Sequence, residues 1–162
     1  MKTKFLPLAL AAFMALAMFG NTTYASENRK EKDSPNMETY YIGGLKKGNL
    51  MMWDITSQCS NTFSVTIKDD DQTYVEINKN NYVKELNLLS HEAAIYEGGS
   101  NLRIEVVFDN ENVQIKTSNA SGSIRNEKGK SIGCIYNYSL EDGNDRDYND
   151  AVISLTSWKK NG

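Results

Sequence analysis

Short apolar runs in strict alternation limit what this chain can fold into. Phe63-x-Val65-x-Ile67 and Leu102-x-Ile104-x-Val106-x-Phe108 put every second side chain on one face, the period of a half-buried β-strand. Similar runs occur at Tyr40–Ile42, Leu50–Ile55, Tyr74–Ile77, Tyr82–Leu86, Val113–Ile115, Ile132–Tyr138 and Val152–Trp158. Between them lie turn-forming residues such as Gly43-Gly44, Asp69-Asp70-Asp71 and Asp109-Asn110-Glu111-Asn112. Many short strands punctuated by Asn, Asp and Gly predict an all-β chain, an antiparallel sandwich or barrel. Only Leu86–Tyr96 leaves room for a helical turn or two, and Ser118–Ser123 reads as a loose connection. The only prolines are Pro7 and Pro35, so none interrupts a strand ladder.

The first 25 residues have the form of a secretory signal. Lys2 and Lys4 precede an uncharged apolar run from Phe5 to Gly20, and Thr23 and Ala25 are the small residues ahead of a cut before Ser26. The run is short for a membrane span, so export with cleavage is expected, with a secreted, periplasmic or cell-surface destination. Cleavage leaves 137 of the 162 residues, enough for one domain with a core. It also leaves 16 basic residues against 21 acidic ones, a net charge of −5, which does not suit nucleic acid or an anionic membrane. Residues 26–38 are polar and rich in both charges, a flexible tail before a domain over 39–162.

Cys59 and Cys134 are the only cysteines, and an exported chain meets an oxidising compartment, so a disulfide between them is expected. His91 is the only histidine, which argues against a histidine triad or a zinc site. No nucleophile elbow, zinc-protease helix or phosphate-binding glycine loop is present.

The densest chemistry lies in Glu141-Asp142-Gly143-Asn144-Asp145-Arg146-Asp147-Tyr148-Asn149-Asp150. These ten residues hold five carboxylates and two amides, with one counter-charge in Arg146. Like charges so close repel unless a cation sits among them. An all-oxygen set without Cys or His suits calcium, which takes six to eight oxygens. Asp145, Asp147 and Asn149 recur at every second position, Gly143 offers a pivot, and an apolar strand follows from Ala151. An EF-hand is excluded, because its sixth position, a glycine, is Asp150 here and its twelfth, a glutamate, is Thr156.

This loop, with the strand after it, Trp158 and a C-terminal Gly162, resembles the calcium-mediated bacterial lectins that bind fucose and mannose through two calcium ions. The resemblance implies a nine-stranded antiparallel β-sandwich and a non-enzymatic, carbohydrate-binding protein. It implies that Glu141, Asp145, Asp147 and Asp150 hold one calcium, and that Asp147, Asn149 and Asp150 hold a second. It further implies that Asp142, Asp145 and Asp150 accept bonds from sugar hydroxyls, and that Ser57, in a Ser57-Gln58-Cys59 loop, takes part in sugar preference. The Gly162 carboxylate would complete a neighbour's site in a homodimer or larger homo-oligomer. Two positions depart from the family pattern. Thr56 stands where the family has an asparagine ligand, with Asn61 and Asp54 as the nearby substitutes. Twelve residues follow Asp150 where the family has ten.

Two other functions compete. The loop could bind calcium only to stabilise an extracellular adhesion module. Alternatively, Glu141 and a second acid could serve a glycoside hydrolase, although such crowded acids would need large, opposed pKa shifts.

Overall fold

In the computed structural model, which describes residues 34–160, nine strands form two antiparallel sheets. The strands are β1 (Met37–Tyr41), β2 (Leu50–Ser57), β3 (Phe63–Lys68), β4 (Thr73–Lys79), β5 (Asn87–Ile95), β6 (Arg103–Phe108), β7 (Lys116–Arg125), β8 (Ser131–Glu141) and β9 (Ala151–Trp158). One sheet runs β1-β6-β3-β4 and the other β5-β2-β9-β8-β7. No helix occurs among the described residues. The all-β sandwich is as expected.

The alternating runs form the two inner faces. Val65, Ile67, Ile104, Val106 and Phe108 from the smaller sheet meet Met51, Trp53, Ile55, Leu140, Ile153 and Leu155 from the larger, all at most 1 % exposed. Burying side chains of this size stabilises by roughly 1.5–3 kcal/mol each, before the cost of ordering them. Trp53 donates its ring N–H to Ser90 Oγ at 3.0 Å, so the largest core side chain leaves no polar atom unpaired. Tyr40 of β1 stacks on Tyr138 of β8, with centroids 4.2 Å apart, and joins the sheets. Burial pushes the Tyr138 hydroxyl up to about 12.

Several local expectations change. Leu86–Tyr96 is no helix: it carries β5, paired to β2 from Leu50↔Ile95 to Ser57↔Asn87. Ser118–Ser123 lies inside β7, because pairing with β8 outweighs its weak strand composition. Tyr82–Leu86 and Val113–Ile115 are loops. Tyr82 and Leu86 stand exposed, while Val113 is buried as a plug. The tail expected to run to Glu38 ends earlier. Met37 and Glu38 pair with Val107 and Val106, and the buried Asn36 side chain donates to the Phe108 carbonyl at 2.7 Å. The signal segment and residues 26–33 lie outside the described residues.

Both cysteines are free thiols, correcting the expected disulfide. Cys134 sits in β8 opposite Ser157, whereas Cys59 lies beyond the far end of β2, beside the acidic loop. Cys134 is seven residues from Glu141 along β8, which at the usual strand rise is roughly 20 Å. That is far beyond disulfide reach.

Candidate metal and ligand site

The acidic residues cap one end of the larger sheet. Glu141 is the last residue of β8 and Asp150 immediately precedes β9, so two paired strands fix both ends of the loop. Glu141 is fully buried and Asp150 is 7 % exposed, while residues 144–147 face solvent. The loop is stapled by its own acids. Glu141 accepts the Gly143 N–H at 2.7 Å and the Tyr148 N–H at 3.4 Å, and Asp150 accepts the Asp142 N–H at 2.6 Å.

The pivot is not at Gly143, whose φ is outside the left-handed region. Arg146 (φ 65°) and Tyr148 (φ 53°) adopt it instead. Two non-glycine residues in this conformation, two apart, cost on the order of 1–3 kcal/mol each. They curl the chain so that Glu141, Asp145 and Asp147 each bring a carboxylate oxygen within 4.8 Å of the others. A second group of Cys59, Asp142 and Asp150 meets the same spacing. Asn149 donates to Asp147 at 2.9 Å. The structure therefore brings together Glu141, Asp142, Asp145, Asp147, Asn149 and Asp150.

The electrostatics are those of a site short of positive charge. Burial, then the charges of Asp142, Glu141 and Asp147, push the Asp150 carboxyl up to about 7, and the Asp142 N–H offsets only part of this. Lys116 of β7 reaches only the rim, donating to Asn144 Oδ1 at 2.9 Å and to the Gly143 carbonyl. A hard divalent cation fits this set: the donors are oxygens, two carboxylates are buried, and a cation would reverse the repulsion. Burial pushes the Cys59 thiol up.

The β2–β3 connection supplies the neighbouring wall. The β2–β5 register shifts between Ile55 and Thr56, with the extra residue in β5, and just beyond β2 the Gln58 N–H bonds the Asn149 carbonyl at 3.1 Å. Ser57 is 0 % exposed and its hydroxyl sits 3.5 Å from Cys59 Sγ. It packs inward, and Gln58 is the exposed residue of the three. Of the substitutes for the missing asparagine, Asp54 lies on the outer sheet face, paired with His91, while Asn61 donates to Asp142 Oδ2 at 2.8 Å. Gly162 lies outside the described residues. Lys79 and Lys116 were not foreseen, since single lysines in strands give no signal of what they face.

No protein-family model and no curated protein matches the chain. Among solved structures, the mannose-binding lectin of Ralstonia solanacearum is similar with a TM-score of 0.50 at 16 % identity, over 76 % of this chain and 96 % of that one. The Chromobacterium violaceum lectin CV2L, solved with α-methyl-fucoside, gives 0.49 at 17 % identity with the same coverages. The C-terminal domain of the lectin BC2L-C from Burkholderia cenocepacia gives 0.49 at 16 %. The nine-stranded sandwich is thus a fold shared with the Ralstonia lectin.

Proposed function

We propose that the chain is a carbohydrate-binding protein whose sugar site is the 141–150 loop, loaded with two calcium ions. The observation that carries this is the gathering of Glu141, Asp145 and Asp147 within 4.8 Å, beside a buried Asp150 held up to about 7. Glu141, Asp145, Asp147, Asn149 and Asp150 would hold the metal, with Gly162 of a neighbouring copy as a further oxygen. Bound calcium would supply positive centres to which vicinal sugar hydroxyls attach in place of water. The half-buried Asp142 offers hydrogen-bond acceptance at the edge of the loop, as do Asp145 and Asp150. Binding of this kind leaves the glycosidic bond intact, so the protein is not an enzyme. Support from the comparisons is the shared fold and the sugars named for those lectins.

In the same proposal the N-terminal signal exports the chain, and a homodimer or larger assembly raises avidity for glycans. One observation favours a second function, a calcium-stabilised adhesion module without sugar. Ser57 and Cys59, expected to shape sugar preference, are both buried. Calorimetry with methyl α-mannoside and methyl α-fucoside in calcium separates the two. Saturable heat supports the lectin; a calcium-raised melting temperature with no sugar heat supports the module.

A further inference from the structure

Lys79, the last residue of β4, is 1 % exposed, and its ammonium donates to the Asn61 carbonyl at 3.1 Å and the Asn81 carbonyl at 2.6 Å. Both are neutral acceptors, and a buried ammonium is unfavourable unless negative charge lies close by. The two carbonyls hold it in place at the end of β4. Lys79 ties the β2–β3 connection to the smaller sheet.

The connection held in this way delivers Asn61. Its amide donates to Asp142 Oδ2 at 2.8 Å, and the Asp142 N–H in turn donates to Asp150 Oδ2 at 2.6 Å. With Oδ2 engaged, Oδ1 is the oxygen of Asp142 free to meet an incoming hydroxyl. An amide suits this task. A lysine or arginine there would cancel negative charge that the cation needs, whereas asparagine orients the carboxylate and leaves its charge intact.

We propose that Asn61, positioned by Lys79, is a specificity-determining residue of the carbohydrate site, because it sets the direction in which Asp142 accepts a sugar hydroxyl. This rests on the carbohydrate-binding function proposed above. A polar contact of this type discriminates steeply, since a mismatched hydroxyl leaves a desolvated group unpaired.

The test is calorimetry of the full chain and of Asn61→Ala, Asn61→Asp and Lys79→Met, with methyl α-mannoside, methyl α-fucoside and methyl α-galactoside in calcium. A calcium titration without sugar and a thermal melt accompany each protein. Asn61→Ala is expected to keep calcium affinity within about threefold, to lose about tenfold or more toward its best sugar, and to change the ranking of the three. Lys79→Met shifts the ranking the same way; should it fail to fold, the Asn61 pair decides alone. Unchanged affinities and ranking in Asn61→Ala overturn the assignment, as does a parallel loss of calcium and sugar, which marks a structural role. Wild-type protein that binds calcium but none of the three sugars overturns the carbohydrate function itself, and the Asn61 role with it.

Discussion

Two acidic loops in this protein solve the same electrostatic problem in opposite ways. In the β3–β4 turn, Asp69 Oδ1 accepts the N–H groups of Asp71 (2.8 Å) and Gln72 (2.9 Å), and Oδ2 accepts the Tyr74 hydroxyl (2.7 Å). Its neighbour Asp70 bonds Arg103 at 3.0 Å and Asn101 at 2.7 Å. Burial pushes the Asp69 carboxyl up, but Tyr74 and the N–H groups of Asp71, Gln72 and Gly99 outweigh it and hold it below the ordinary carboxylate value. In the 141–150 loop the acids have one another for neighbours, and Asp150 is pushed the other way. Charge density alone does not mark a cation site. What separates the two loops is balance: internal donors outweigh burial at Asp69, whereas at Asp150 the Asp142 N–H does not offset burial and the neighbouring carboxylates.

The sharpest way to break this contrast is to neutralise one acid in each loop. Asp150→Asn should lower calcium affinity by at least about tenfold, read by calorimetry, while leaving the metal-free fold as stable as wild type or more so. Asp69→Asn should leave calcium binding unchanged and cost about 1–3 kcal/mol in urea unfolding, because donors are left unpaired. Equal destabilisation by both in chelator would remove the distinction.

Next in size is Gly99→Ala. An added Cβ would lie 2.3 Å from Asp69 Cγ, whose carboxylate is held by its turn. We expect a loss of about 1–3 kcal/mol, lowering the urea midpoint and not restored by calcium.

The pH dependence should also have opposite signs. Asp150, raised from 3.8 to about 7, adds stability that is full below its ordinary value and is lost as pH rises through about 7. Asp69, lowered, adds stability that is full above its ordinary value and disappears as pH falls through its folded value. Urea midpoints in chelator should therefore fall between about pH 4 and 7, and Asp150→Asn should flatten that decline. The smallest effect is expected at the loop rim. Lys116→Met should change stability by under about 1 kcal/mol, since its contacts with Gly143 and Asn144 are partly exposed.

The sandwich could be read from the sequence wherever one face is buried and the other solvated, as in β3 and β6, because period-two burial writes itself into the residues. It could not be read in β7, where Thr117–Ser123 carries almost no apolar signal and is a strand only because β8 supplies the ladder. Tyr82–Leu86 failed in the opposite sense: apolar residues at strand spacing stand exposed with no partner strand. At the site, the loop acids were legible because they are contiguous. The left-handed residues were not, since Arg146 and Tyr148 have no propensity for that conformation and are held there by the closure of β8 onto β9. Asn61 touching Asp142 and Lys79 touching Asn61 are long-range contacts that local spacing does not carry, whereas Ser57 faces inward in phase with Met51, Trp53 and Ile55 and was legible in the period-two pattern of β2.

The central claim is that a cation held by the 141–150 loop is what grips a sugar. The direct measurement is calorimetric titration of methyl α-mannoside and methyl α-fucoside into the protein, in calcium and again in excess chelator. Saturable binding of at least one sugar that vanishes in chelator and returns with added calcium is the predicted result. Sugar binding of unchanged affinity in chelator would contradict it.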